Sequence, residues 1–278
     1  MGTSADAGDR PAGPGGTPYL PEPTGPGPVG TTSLWLTDAS RPDPWAAGVS
    51  ARELMVSLWY PAAPSDGPRA RYMTPAESEL QLTSRGTGFW EKVTAGRAAD
   101  VSFVLDELTG SHPAWPGAGL IDPARIAMAG HSIGGAAAIA AMLADSRIRA
   151  GLDMDGSTHA PIPDEGLSRP FLFLGKQSNY TPGSGGNVTT WERDWKLLTG
   201  WKRWLLVAGA VHASFTDLGL LADQVGIDIG AAVRGSRSLD LTRAYVRAFS
   251  DQHLRSTPQA WLDQPSPRYP EVIFCSPD

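Results

Sequence analysis

The chain has 278 residues, with 29 acidic and 23 basic side chains, five histidines, one cysteine and 41% of its residues in the hydrophobic set. That length and apolar content suffice for a substantial core, and they exclude a disordered chain. A net charge of -6 with no run of Lys or Arg excludes a nucleic-acid binder, which needs clustered cations to meet phosphates. The longest apolar stretches, Ala136 to Ala144 and Trp204 to Ala210, fall short of the roughly 20 residues that span a bilayer. Cys275 stands alone, so neither an intrachain disulfide nor a four-cysteine zinc site is available.

Residues 1–30 hold 15 Gly plus Pro and few large apolar groups, the composition of an extended arm; 31–278 are expected to form a single domain. Thr31 to Thr37 reads as a short strand. Arg52 to Tyr60 reads as a second, apolar on both sides as in a sheet covered on two faces, and Pro61 ends it. Pro61 to Gly88 is a polar connector with one helical turn starting near Pro75. Phe89 to Leu108 has the three-to-four spacing of a buried helical stripe. Ile126 to Gly130 is a short apolar strand, and Gly134 to Leu143 is a helix of very small residues. Strands follow at Ala150 to Asp155, Pro170 to Leu174 and Trp204 to Val207, with helical pieces at Thr189 to Leu198 and Leu239 to Leu254. Alternating short strands and helices predict an α/β fold with a mainly parallel sheet flanked by helices.

The strongest chemical signal is Gly130-His131-Ser132-Ile133-Gly134, a Gly-x-Ser-x-Gly motif lying between a strand and a helix of small residues. Such a turn projects the serine hydroxyl at the carboxyl end of a sheet, while the Ile133 N–H faces a developing oxyanion at the helix start. The alternative is a serine that merely caps a helix. A serine hydroxyl needs a base to remove its proton and a carboxylate to orient that base. His212, in the loop after the Trp204 strand, is the expected base, with His159 the runner-up. His131 is fixed by the turn and expected to point away; His112 precedes the serine and fits the chain order badly; His253 lies in a helix. For the carboxylate, Asp155 occupies a strand tip before a glycine. Asp153, two residues earlier, is expected to bond loop N–H groups, and Asp217 competes by its closeness to His212. Trp191 and Phe215 are assigned to an apolar substrate wall, with core packing as the alternative for each. Asn179 to Asn187 is either a lid or a surface loop.

The order Ser132, Asp155, His212, with Gly-His-Ser-Ile-Gly-Gly, Met-Asp-Gly and His-Ala-Ser-Phe-Thr-Asp, resembles the platelet-activating-factor acetylhydrolase group of α/β-hydrolases, in particular its actinobacterial esterase and lipase-like members. The strand Arg52 to Pro61 extends the match, which covers roughly 31 to 60 and 90 to 255. The resemblance implies an α/β-hydrolase sheet with Ser132 as nucleophile, His212 as base and Asp155 as orienter. It also implies a carboxylic ester hydrolase, lipase-like and acting in lipid degradation, that cleaves a small-molecule or lipid-like ester and needs no metal or organic cofactor. Acyl transfer or amide cleavage at the same site, and an inactive hydrolase-fold binding or assembly protein, are the alternatives. No export signal is read at the chain start; the resemblance slightly favours secretion over the cytoplasm, and the oligomeric state is open. One departure stands out. Between Pro61 and Ala98 the family's two central strands and glycine loop find no counterpart beyond Leu80 to Leu82, so part of the central sheet is expected to be missing and the second oxyanion donor is unassigned.

Overall fold

The computed structural model describes residues 18–64 and 88–277. Most of the arm, the connector with its helical turn near Pro75, and Leu80 to Leu82 lie outside the described residues. Contacts group the described chain into two compact units, one of residues 22–64, 88–92 and 100–121, the other of 18–21, 93–99 and 122–277.

In the first unit, β1 (Val29–Asp38) and β2 (Arg52–Pro61) pair antiparallel along their whole lengths, from Val29 opposite Pro61 to Asp38 opposite Arg52. Period-two alternation sends Leu34, Leu36, Leu54, Val56 and Leu58 to one side. The sequence predicts β2 to be covered on both faces, but Trp35, Met55 and Trp59 stand exposed on the other side. An antiparallel ribbon can leave one face to water in a way that a parallel sheet cannot. Arg41 and Arg52 both pair with Asp100 of helix α1 (Phe89–Thr109), at 2.6 and 3.1 Å.

The second unit is built on a five-stranded sheet in the order β3-β4-β5-β6-β7: β3 (Ile126–His131), β4 (Ile148–Met154), β5 (Phe171–Lys176), β6 (Lys202–Val207) and β7 (Val272–Cys275). The first four are parallel, and β7 is antiparallel to β6. Helices α2 (Ile133–Ala144), α3 (Gln177–Tyr180), α4 (Val188–Leu197), α5 (Asp217–Val225) and α6 (Gly235–Leu254) complete it. Alternate strand residues divide between two layers. Ala150, Leu152, Leu172, Leu174, Leu205 and Val207 form a core with Leu241, Tyr245, Ala248 and Phe249 of α6. Phe171, Phe173 and Trp204 lie on the other face, where Phe173 stacks on Trp191 of α4 at 4.4 Å. The run Phe171 to Leu174 is wholly buried, because parallel strands with helices on both faces offer water neither side. The helix-flanked, mainly parallel sheet is thus the architecture that the alternating pattern predicts. Among the described residues no helix is long and apolar enough to cross a membrane.

Three elements were not legible in the sequence: α3, α5 and β7. Leu172 is completely buried in the central layer, so Leu172→Ala is expected to lower the free energy of unfolding by about 2–5 kcal/mol. Urea unfolding checks this, and a loss under about 1 kcal/mol would mean that the site collapses around the deletion.

Candidate active site

Strand β3 ends at His131 and α2 begins at Ile133, leaving Ser132 alone to reverse the chain. It does so with φ 57° and ψ -127°, a conformation that side chains rarely adopt. The turn is possible because its neighbours are small: a Cβ on Gly130 would stand 2.3 Å from the Gly134 carbonyl carbon. Ser132 is also tied to the next strand, its N–H donating to the Met154 carbonyl at 2.8 Å. Asp155 follows β4 directly and has φ 57° as well. Its N–H donates to the Leu174 carbonyl at 3.0 Å.

The third side chain, His212, comes from a segment 80 residues beyond Ser132. After β6, a short 3-10 turn, His212–Phe215, carries His212 to these two residues; the Val211 N–H donates to Ser214 Oγ at 3.0 Å and shapes the loop. His212 Nδ1 lies 2.5 Å from Asp155 Oδ2, and His212 Nε2 lies 3.0 Å from Ser132 Oγ. A carboxylate only accepts, so Nδ1 carries the proton and Nε2 offers its lone pair to the serine hydroxyl. The Asp155 side chain is 1% exposed and that of His212 48%, so the line runs from the interior to the surface. Asp155 Oδ1 accepts from the Lys176 N–H at 2.8 Å, and the Lys176 ammonium stands 3.6 Å from Oδ2. The structure therefore brings Ser132, His212 and Asp155 together. Ile133 opens α2, where the first N–H groups of a helix have no partner within it. Among the described residues, no cluster of three or more His, Cys, Asp or Glu side chains is placed to hold a metal ion.

The other candidates lie elsewhere. Asp217 opens α5, behind the Thr216 cap; His253 packs against Trp201 and Phe249; His112 bonds Ser111. Asp153 accepts from the Gly156 N–H at 3.0 Å, the loop bond that its place in the strand predicts. Trp191 is fully buried between Tyr180 and Phe173, its indole N–H donating to the Gly156 carbonyl at 2.6 Å. Phe215 is buried in the core shared with α6 and stacks on His131 at 6.5 Å.

His131 does not point away from the site as its place in the motif suggests. Its Nε2–H donates to the His212 carbonyl at 2.9 Å, and the two rings lie 4.3 Å apart. No sequence signal marks this contact, because the partners are 81 residues apart and one of them is a backbone oxygen. Burial, and then the neighbouring His212, push the His131 imidazole below its usual range. The neutral ring is therefore favoured in the folded state, while the unfolded chain takes up a proton near pH 6.5. This group's contribution to stability is present above pH 6.5 and is lost as the pH falls from there towards the lowered folded value. His131→Gln retains a donor and has no proton to bind, so its urea midpoint is expected to fall less steeply between pH 7 and 5 than that of the wild type. Parallel slopes would refute this.

Residues 117–253 match the family model described as platelet-activating factor acetylhydrolase, isoform II. Over 206 residues the chain is 31% identical to a probable 1-alkyl-2-acetylglycerophosphocholine esterase of Arthroderma benhamiae, an alignment covering 67% of this chain and 49% of that protein. The chain thus spans about half the length of the curated relative it matches. Among solved structures, a ferulic acid esterase from Streptomyces cinnamoneus superposes with a TM-score of 0.81 at 31% identity, over 92% of this chain and 98% of that one. Shared sequence and shared architecture together make this chain a homologue of the platelet-activating-factor acetylhydrolase and esterase proteins, with the architecture of the α/β-hydrolase superfamily.

Proposed function

We propose that the chain is a carboxylic ester hydrolase working through an acyl-enzyme on Ser132. The observation that carries this reading is the continuous line of hydrogen bonds from Ser132 Oγ through His212 to Asp155, with the proton on Nδ1 and the lone pair on Nε2. His212 takes the hydroxyl proton as Ser132 Oγ attacks the ester carbonyl, and returns it to the departing alcohol. Water, deprotonated by the same imidazole, then releases the acid. Asp155 stays ionised, holds the tautomer and stabilises the imidazolium formed in each half-reaction. The Ile133 N–H at the start of α2 would donate to the tetrahedral oxyanion, where the helix dipole adds to it.

The two relatives, a probable 1-alkyl-2-acetylglycerophosphocholine esterase and a ferulic acid esterase, support a small ester with a lipid-like or aromatic part as the substrate. Lys176 adds a cation behind the carboxylate, at 3.6 Å, where it helps to hold Asp155 in place. Trp191 and Phe215 support the site from beneath, the first through the Gly156 turn and the second under His131.

A fluorophosphonate probe is expected to add once to the protein and not to Ser132→Ala, as read by intact mass. Ser132→Ala should lose at least about 10³-fold in kcat on a p-nitrophenyl ester, and Asp155→Asn about 10⁴-fold through the wrong tautomer. Labelling that persists in Ser132→Ala would place the nucleophile elsewhere and end this reading.

A further inference from the structure

Two residues before Asp155, β4 carries a second carboxyl that the proposed chemistry does not use. Asp153 is 0% exposed, and it forms no ion pair among the described residues. Its Oδ1 accepts from the Gly156 N–H at 3.0 Å, while Oδ2 meets no hydrogen-bond partner among the described residues. The nearby Trp191 indole N–H is committed to the Gly156 carbonyl. A buried polar atom left without a partner is costly, so a carboxyl kept in such a place calls for a physical reason.

The reason lies in what surrounds it. A Cβ on Gly135, in the first turn of α2, would stand 2.1 Å from Asp153 Oδ1 and 2.6 Å from the Gly130 carbonyl. A Cβ on Gly156 would stand 2.6 Å from the same Oδ1 and 2.2 Å from the Ser132 carbonyl. The carboxyl therefore fills the space between the turn that carries Ser132 and the turn that follows Asp155, touching glycine on both sides. Each of those two turns holds a strained residue. Ser132 and Asp155 both have φ 57°, and a non-glycine residue keeps that conformation only where its surroundings hold it.

We propose that Asp153 is a positioning residue for the Ser132–His212–Asp155 line, its carboxyl bracing the turn of the nucleophile against the turn of the acid. The proposal rests on the reading of Ser132 as nucleophile. Met154, Asp155 and Gly156 are each tied, through the Met154 carbonyl to Ser132, the Asp155 N–H to Leu174 and the Gly156 N–H to Asp153. Removing the carboxyl frees the last of these ties and opens a void beside both turns. Burial foremost, then the negative charge of Asp155, pushes the Asp153 carboxyl well above the usual carboxylate range, against the pull of the Gly156 N–H. The same burial favours the uncharged form of this acid, the form that adds no second negative charge beside Asp155.

Three variants of the full chain test this, each checked by near-UV circular dichroism. Asp153→Ala removes the brace, Asp153→Asn keeps an uncharged acceptor of the same shape, and Gly156→Ala pushes the two turns apart. The readouts are kcat and KM on a p-nitrophenyl ester and the rate of fluorophosphonate labelling. In Asp153→Ala, KM should stay near its original value while kcat and the labelling rate fall by about 100-fold, the effect of a misplacement on the order of 1 Å. Asp153→Asn should restore most of that loss. An Asp153→Ala protein with wild-type kcat, or an Asp153→Asn protein as slow as Asp153→Ala, would overturn the brace. Should Asp153→Ala fail to fold, a folded Gly156→Ala protein with unchanged kcat would overturn it equally. A wild-type protein that takes up no probe would instead refute the nucleophile reading.

Discussion

Strands β3 and β4 lie side by side and parallel, with Gly130 opposite Asp153 and His131 opposite Met154. The site depends on that register. Each strand delivers one side chain of the candidate site directly beyond its carboxyl end, Ser132 after β3 and Asp155 after β4. Neighbouring strands are about 4.8 Å apart, so the gap between the two chain ends is one that a single imidazole can span. A slip of one residue in either strand would turn the alternation over and send one of the two groups to the wrong side.

That register places demands on the packing around it. The chain must reverse tightly after β3, and the helix that follows must lie close to the sheet. Gly135 through Met142 of α2 are all buried, and most of them are glycine or alanine, the only residues small enough for such an approach. On the same face of the sheet as α2, Trp191, Phe173, Tyr180 and Trp204 form a continuous aromatic layer under the turn that follows Asp155. Trp191 joins this layer to the site through its bond to the Gly156 carbonyl. The aromatic rings of this segment pack beneath the backbone of the turn that follows Asp155 and hold it in place.

His212 is held differently. It sits on a short loop, and four contacts fix it: Asp155 at Nδ1, Ser132 at Nε2, the His131 N–H at its carbonyl, and the His131 ring beside its own. The Ser132 turn thus grips the His212 loop from two directions. A neutral His131 suits the proposed reaction, because a second charged imidazole 4.3 Å away would oppose the positive charge that the proposal gives to His212.

The sequence by itself determined what local pattern can encode. The apolar strand Ile126 to Ala129, the glycines around Ser132 and the alanines after it can form only a strand, a sharp turn and a closely packed helix. The strand tip Met154-Asp155-Gly156 and the loop residue His212 were legible for the same reason, since each stands where an apolar run stops. The short strand β7, with four residues, and helix α5, with a glycine in its first turn, are too weak as local signals and form because the edge of β6 and the face of α6 receive them. Only the tertiary structure turned His131 onto a carbonyl 81 residues away, left Trp35 and Trp59 in water and buried Trp191 completely. It also closed glycine turns around Asp153, a residue whose place in the strand announced a loop bond but not the two turns it separates. Such contacts join segments remote in sequence. No periodicity records them, because they are set by which surfaces meet once the strands have paired.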